Sequence, residues 1–437
     1  MLSRLKSLIA DDHPLRLAWH RLKAHAAAVR YGFPAWKLTV IGITGTDGKT
    51  TTVGMMAHIL RSSGLNVGAL STAFFQIAEH ITWNATQKTS PSPFTIQKFL
   101  RQCVDTGCTH AVLEYSSHGL VQGRTLHTRP SVAAITNLTP EHLDYHKTME
   151  EYARAKSLLF TMLNGRRTKV LNRDDVTYEQ FSSIPSSQTI TYGTHPPQEK
   201  NRAAGAINLW ISTISAAPDH IQATLHKDQE GQTHTLSLPI AGTFNLENAL
   251  CAIGCALGCG IGIETSLASL QSFHGIPGRM EKIDEGQPFT VYVDFTVTPA
   301  SYEKTLTALS AAMQPGKRLL VLTGSCGDRM KEKRPIVGKI VSEHADIMVV
   351  TNEDPYSEDP EKIIDEVWAG IDHSKTKAHR ISERKEAIEF LLSKAQPGDT
   401  VLLCGKGSDT TMWTKHGKIP WNERGIVRQL LKNPRSS

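Results

Sequence analysis

The 437 residues contain no apolar run of about 18, the length a membrane-spanning helix needs. No Cys-x-x-Cys pair occurs, and the seven cysteines are an odd number in a long chain, which argues against a disulfide framework or a zinc ribbon. Cys251, Cys255 and Cys259 recur every four residues in an Ala- and Gly-rich stretch. They read better as small buried apolar residues than as a metal site. Internal repeats and low-complexity tracts are missing as well. Met1 to Ala10 mix apolar and basic residues without a signal-peptide core or cleavage site, so a cytoplasmic location is expected.

The formal charge of +6 is unevenly placed. Arg4, Lys6, Arg16, Arg21, Lys23, Arg30 and Lys37 face only Asp11 and Asp12 in residues 1–38, a net +5, while the remaining chain is nearly neutral. A nucleic-acid partner would require this charge on a recognisable binding fold beside base-reading residues. The sequence offers none, and no nucleic acid is expected.

With 40% hydrophobic and 21% charged residues, the composition is that of an ordinary globular chain, and its length fits two or three domains. Residues 14–31 are predicted to form a helix whose stripe Leu15, Ala18, Leu22, Ala26 and Val29 packs on the next domain; contact with a membrane surface is the alternative. Apolar strands at 38–43, 110–114, 132–136 and 169–172 alternate with helices at 93–106 and 148–163. This pattern implies an α/β fold, with a mostly parallel sheet between helices. Three short antiparallel strands are expected across 201–240, packed beside the main sheet. After helix 245–260 and a break around Pro277, a second α/β unit follows, with strands at 290–294, 319–323, 346–351 and 400–404. The expected division is a basic helical segment 1–38, a central nucleotide-binding domain 39–278 and a Rossmann-like C-terminal domain 279–437.

Gly45-Thr46-Asp47-Gly48-Lys49-Thr50-Thr51 lies between the first strand and a helix, the setting a phosphate-binding loop requires. Its glycines let backbone N–H groups turn inward, and the helix amino terminus adds partial positive charge. Lys49 is placed to reach the terminal phosphates of a nucleotide and Thr50 to ligate magnesium; the loop alone does not separate a kinase, a GTPase or a ligase. Glu114 ends a predicted strand on the edge where open α/β sheets bind ligands, a suitable place for an oxygen ligand to Mg²⁺. By composition alone, Lys156 reads as a surface lysine on a mixed helix face and His142 as a core or capping histidine.

Longer motifs carry a resemblance. Val40 to Thr52 is similar to the ATP loop of the Mur ligases, with Asp47 in place of an asparagine. Glu114-Tyr115-Ser116-Ser117-His118-Gly119-Leu120 resembles E-V-S-S-H-x-L, and Thr136 to His146 resembles T-N-L-x-x-D-H-L-D-Y-H, with Tyr152, Lys156 and Phe160 following. Phe244-Asn245-Leu246-Glu247-Asn248 and Pro277-Gly278-Arg279-Met280-Glu281 match F-N-x-x-N and P-G-R-M-E. The ordered set covers about residues 38–437 and points to the branch that adds the third residue of the stem peptide in peptidoglycan synthesis.

The resemblance implies an ATP-dependent amide ligase working through an acyl phosphate, with a muropeptide acceptor and a free amino acid as substrates, acting as a monomer. It implies magnesium ligation by Thr50, Glu114 and His142, and an N-carbamoylated Lys156 that helps position the metal. Asn245 and Asn248 are assigned to the adenine side, Arg279 to the phosphates and Asp294 to the ribose. Thr89, Ser90, Ser116 and His118 are expected to contact the acceptor, and Arg329, Asp354, Tyr356, Gly405 and Asp409 the amino acid.

Several segments depart from the family pattern. Only about 38 residues precede the ATP-binding domain, too few for the family's uridine-nucleotide domain. The uridine part of the acceptor therefore falls to the central domain and helix 14–31, or the acceptor is another peptide carrier. Asp294-Phe295-Thr296-Val297 replaces D-Y-A-H, so no histidine acts there. Asn352-Glu353-Asp354-Pro355-Tyr356 replaces the loop ending in D-N-P-R, and Gly405-Lys406-Gly407-Ser408-Asp409 replaces G-K-G-H-E. Tyr356 has no charge to pair with a distal carboxylate. With Glu353, Asp354 and Asp409 nearby, a basic amino acid such as lysine or ornithine is expected rather than diaminopimelate. The competing functions are another ligase of the superfamily, of folylpolyglutamate type, and a non-catalytic nucleotide-binding protein. Lys49, Thr50, Glu114 and Lys156 are all retained, which argues against the latter.

Overall fold

A computed structural model describes residues 13–198, 205–228 and 232–433. The expectations for Met1 to Ala10 lie outside the described residues.

Eleven strands form the first sheet. They are β1 (Thr39–Thr44), β2 (Val67–Leu70), β3 (Phe74–Ile77), β4 (His80–Trp83), β5 (His110–Glu114), β6 (Pro130–Ile135), β7 (Thr168–Asn172), β8 (Gln188–Gly193), β9 (Ile207–Ala217), β10 (His220–Lys227) and β11 (Thr233–Leu238). The sheet order is β11-β10-β9-β8-β7-β6-β1-β5-β2-β3-β4. Strands β9, β8, β7, β6, β1, β5 and β2 pair in parallel, as βαβ crossovers require. The β9–β11 segment was expected beside the sheet; it instead continues the sheet edge to edge, β9 pairing with β8 and then turning back antiparallel.

β1 is central and its apolar run is buried on both faces, which explains its continuous rather than alternating hydrophobicity. One face is covered by helices Lys49–Ser62 and Phe244–Gly258. Ala249, Cys251, Ala252, Cys255 and Ala256 are all buried there, so Cys251 and Cys255 serve as small core residues that let two helices approach, while Cys259 caps the helix half-buried. Truncating a core residue such as Ile41, fully buried, should cost about 2–5 kcal/mol.

The second sheet comprises β12 (Glu281–Ile283), β13 (Thr290–Val293), β14 (Leu319–Thr323), β15 (Ile347–Val350), β16 (Lys377–Arg380) and β17 (Thr400–Leu403), in the order β12-β13-β17-β14-β15-β16. All neighbours are parallel except β12 with β13. A hairpin, β18 (Thr411–Thr414) and β19 (Gly417–Pro420), follows it. The carboxyl ends of β1, β2, β6, β13, β14, β15 and β17 all run into loops that bound the cleft between the two sheets.

Helix Pro14–Arg30 differs from expectation in its orientation. The buried face is Ala24, Ala27 and Ala28, which rests on helix Pro93–Asp105. Leu15, Ala18, Leu22, Ala26 and Val29, expected to point inward, are exposed. Methyl-sized side chains permit a close helix–helix approach, and that contact places the larger apolar residues outside.

Candidate active site

The phosphate loop joins β1 to helix Lys49–Ser62. Gly45 (φ 145°) and Gly48 (φ 80°) hold backbone conformations open to glycine. A Cβ on Gly45 would lie 1.8 Å from Thr136 Oγ1, and one on Gly48 2.1 Å from Asn248 Oδ1. The loop is clamped from β6. Asp47 N donates to Asn137 Oδ1 at 3.0 Å, and Thr136 Oγ1 donates to the Asp47 carbonyl at 2.6 Å. Thr46 Oγ1 donates to the Thr139 carbonyl at 3.2 Å. Gly48 caps the helix without a side-chain acceptor, and its first turn holds no acidic residue. The leading N–H groups therefore remain for an anionic ligand. Lys49 Nζ curls back onto the Thr46 carbonyl at 2.7 Å, and burial lowers its pKa.

Beside the loop, Glu114 ends β5 fully buried. Its Oε2 accepts from Thr72 N at 3.0 Å and Thr72 Oγ1 at 2.6 Å, while Oε1 is buried without a hydrogen-bond partner. An unsatisfied carboxylate oxygen at this depth is costly unless a cation or donor reaches it. His142 sits at φ 58° with its ring 4.8 Å from that of His118. Burial lowers the pKa of His142 well below the ordinary range, and that of His118 to about 4. Both imidazoles are thus neutral and have a lone pair to offer.

Lys156 is a correction. Read by composition as a surface lysine, it is 1% exposed on helix Met149–Thr161. Its Nζ donates to the Gly45 carbonyl at 2.6 Å and lies 4.4 Å from the Tyr152 ring centroid. Burial, then the nearby charge of Lys49, pushes its pKa well down. A neutral amine at that depth has the free electron pair that addition to CO₂ requires.

Two cavities meet at Arg279. The larger, about 460 Å³, is lined on one side by Thr46, Lys49, Thr50, Thr89, Glu141 and His142, and on the other by Arg329, Lys333, Asp354, Tyr356, Asp409 and Trp413. The smaller, about 100 Å³, is bounded by Thr51, Asn245, Asn248, Asp294, Phe295 and Lys304. Arg279 stacks over Phe295 at 4.2 Å, approaches Thr50 Oγ1 at 3.5 Å and leaves its buried Nε without a partner. Thr298 Oγ1 donates to Asp47 Oδ2 at 3.2 Å, linking the two units across the cleft. Asn248 Nδ2 donates to Asn245 Oδ1 at 2.9 Å, and Asn245 Nδ2 to the Ala241 carbonyl at 2.7 Å. Asp294 Oδ2 accepts from Met280 N at 2.6 Å.

The acceptor and amino-acid assignments divide. Thr89 lines the cleft, whereas Ser90 is buried, its hydroxyl accepting from Ser116 N at 3.0 Å and donating to the Glu114 carbonyl at 3.4 Å. Ser116 caps the short helix after β5, accepting from Gly119 N. These two hydroxyls brace the strand end and do not line the cleft. His118 is packed against His142 and His146.

The three carboxylates expected near one pocket all line the larger cavity, but two of them share a cation. Lys406, fully buried, donates to Asp354 Oδ1 at 2.8 Å and Asp409 Oδ2 at 3.1 Å. Burial pulls its pKa down, but Asp409 and Asp354 together hold it above the ordinary value. Glu353 is fully buried against Gly405, and burial raises its carboxyl to about 7. Tyr356 stacks on Trp413 with ring centroids 5.5 Å apart, and the Arg329 guanidinium lies 5.4 Å from the Tyr356 centroid.

Sequence reasoning missed Thr72, Asn137, Thr298, Lys333 and Trp413. Asn137 had a signal, as a polar residue directly after an apolar strand. Lys333, paired with Glu141 at 3.1 Å and buried with it, had none.

A glycine cradle for phosphate, a buried lysine and carboxylate beside it, and a second unit closing over them define an ATP-dependent ligase of carboxylate and amine. Two family models match, the Mur ligase middle domain over residues 43–256 and the Mur ligase glutamate ligase domain over 278–407. A UDP-N-acetylmuramoyl-L-alanyl-D-glutamate–2,6-diaminopimelate ligase of Geobacillus kaustophilus is 35% identical over 94% of this chain and 82% of its own. The chain belongs to the Mur ligase family, whose members use ATP and magnesium, and it is an acid–amino-acid ligase. A solved diaminopimelate ligase of the same name overlays with TM-score 0.61 at 27% identity, covering 92% of this chain and 79% of that one. A Mycobacterium tuberculosis folylpolyglutamate synthase overlays with TM-score 0.70 at 17% identity, covering 94% of each. At that identity the likeness is one of fold, so fold alone does not choose between the two activities.

Proposed function

We propose that the chain adds the third amino acid to a UDP-N-acetylmuramoyl-dipeptide or similar muropeptide, as a UDP-N-acetylmuramoyl-tripeptide synthetase does, in the cytoplasm and as a monomer. The observation that carries this reading is one cleft bounded by the phosphate loop with His142 on one wall and Arg329, Asp354, Tyr356 and Asp409 on the other. The Ser117-His118 and His142-to-His146 segments favour it over a folylpolyglutamate-type ligase.

The phosphate loop fits ATP, since the first turn of the helix that begins at Lys49 has neither a side-chain cap nor an acidic residue to occupy its N–H groups. The unpartnered Glu114 Oε1 fits a magnesium ligand. Among the described residues no cluster of three His, Cys, Asp or Glu side chains could hold a metal by itself; the shell would be completed by the Thr50 hydroxyl and a carbamate on Lys156. Magnesium, when bound, supplies charge neutralisation for phosphoryl transfer.

Lys49 and the loop N–H groups would hold the phosphates, and Arg279, reaching over from the second unit, would add positive charge where charge develops. The acceptor carboxylate is activated as an acyl phosphate. His142, kept neutral by burial, would offer its lone pair to the metal alongside Glu114 and Thr50. Arg329 would hold the α-carboxylate of the amino acid. The Thr298–Asp47 contact would help exclude water from the activated carboxylate by keeping the cleft closed.

Phosphate release with a panel of acceptors and amino acids tests the reading. Turnover with a UDP-N-acetylmuramoyl-dipeptide and none with a folate acceptor is expected. The reverse result would overturn it.

A further inference from the structure

Five of the thirteen large apolar side chains exposed among the described residues fall between positions 15 and 36. They are Leu15 (70% exposed), Trp19 (52%), Leu22 (58%), Val29 (57%) and Trp36 (68%). At 3.6 residues per turn, Ala18, Val29, Leu22, Leu15, Ala26 and Trp19 occupy one arc of roughly 100°. Arg30, Lys23 and Arg16 follow on one flank of that arc, with Arg21 on the other. The opposite side, Ala24, Ala27 and Ala28, is already spent on helix Pro93–Asp105. Phe33 continues the surface, with ring contacts to His25 at 6.3 Å and to Trp36 at 5.8 Å. The Arg129 guanidinium lies 4.9 Å from the Trp36 centroid and the Lys23 ammonium 5.0 Å from that of Trp19.

No Asp or Glu occurs from His13 to Lys37. No residue of the helix lines either cavity of the active site. Among the described residues no helix is long and apolar enough to cross a membrane, but this one has the form that lies in an interface. Its apolar arc carries tryptophan, its lysine and arginine stems can snorkel from both flanks, and its charge has one sign.

We propose that the outer face of helix Pro14–Arg30, together with Trp36, docks on an anionic lipid bilayer. The charge selects this occupant over a second copy of the chain, because two such faces would bring like charges together around the apolar seam. Docking would hold the enzyme at a membrane surface, with the cleft formed by other elements.

Co-sedimentation of the full chain with vesicles tests this. Phosphatidylcholine vesicles with about one-third phosphatidylglycerol should bind at least about tenfold more protein than pure phosphatidylcholine at low salt, with the difference shrinking as salt rises. The double variant Trp19→Ser/Leu22→Ser should lose about tenfold in binding. Lys23→Glu and Arg30→Glu should each lose about fivefold or more, and with Arg30 exposed and Lys23 half-buried they serve as a second arm should the first variant fold poorly. ATP affinity and melting temperature should stay at wild-type values in the charge variants. Equal binding to neutral and anionic vesicles, or none to either, would overturn the proposal. So would a concentration-dependent dimer in lipid-free buffer that Trp19→Ser/Leu22→Ser converts to monomer, since the face would then belong to a second copy.

Discussion

On the wall of the cleft that carries the phosphate loop, polar groups are held by backbone or by one another, and the unsatisfied ones point toward a missing charge. Glu114 Oε1 is the clearest case, with Lys49 folded onto its own loop. On the opposite wall, Lys406 sits between Asp354 and Asp409 and Tyr356 against Trp413, while Lys333 reaches across the cleft to Glu141. The first wall is built to receive charge from ligands. The second has satisfied most of its charges internally and leaves an aromatic surface with Arg329. The difference separates what the reaction needs, which any amide ligase of this kind shares, from what selects the amine.

If that division holds, the largest losses come from the first wall. Lys156→Ala should be nearly inactive, and small carboxylates such as acetate should restore part of the activity if the side chain works as a carbamate. Unchanged turnover in the alanine variant would remove the idea. Lys49→Ala and Glu114→Ala should each lower ligation at least about a hundredfold, because each removes stabilisation made mainly in the transition state. Steady-state rates within threefold of wild type, as a rough threshold on that scale, would show that these residues do not carry the reaction.

The same division tracks what could be read from sequence. Alternating apolar strands and helices were legible because β1, β5, β6 and β7 are buried runs and the helices between them keep a 3.6-residue period. The phosphate loop was legible because glycine, lysine and threonine are each required at fixed positions. Lys156 was not legible by composition: a buried lysine among Ala153, Leu159 and Phe160 has the same letters as an exposed one, and only the fold brings it to the Gly45 carbonyl. Lys406 was visible as a letter, but its two carboxylate partners come from loops 52 and three residues away. The helix Pro14–Arg30 misled because period alone marks a stripe without saying which stripe is buried; three alanines outcompeted three larger residues for the contact.

A smaller effect, on choice rather than rate, is expected from the second wall. The relatives named above are ligases for 2,6-diaminopimelate, yet Tyr356 can offer a distal carboxylate one hydrogen bond and no charge. Because Lys406 already neutralises part of the Asp354 and Asp409 charge, a preference for L-lysine over meso-diaminopimelate should be modest, about three- to tenfold. Competition at equal concentration, read by product mass, measures it. Tyr356→Arg should move the product ratio toward diaminopimelate by about tenfold. A wild-type product dominated by diaminopimelate, unmoved by Tyr356→Arg, would mean that another cation lining the larger cavity, Lys88 or Arg329, holds the distal group.

A last effect concerns stability and leaves turnover aside, and it isolates the one carboxylate of that wall that no lysine holds. Glu353 is fully buried, and burial, then the charge of Asp354, raises its pKa from 4.5 to about 7. Between those values the folded protein keeps a proton that the unfolded chain has released. Stability from this group therefore falls as pH rises from about 4.5 to 7 and is level above that. Glu353→Gln should abolish this slope, so the variant gains on wild type as pH rises, by about 1–3 kcal/mol at pH 8 relative to pH 5. The slope, more than the offset, is the useful measure, because a buried amide brings N–H groups that need their own acceptors. Thermal melts of both proteins at the two pH values suffice. Parallel wild-type and variant curves would show that Glu353 is ionised at both, held so by the nearby charges of Lys406 and of Arg384, a buried arginine after β16.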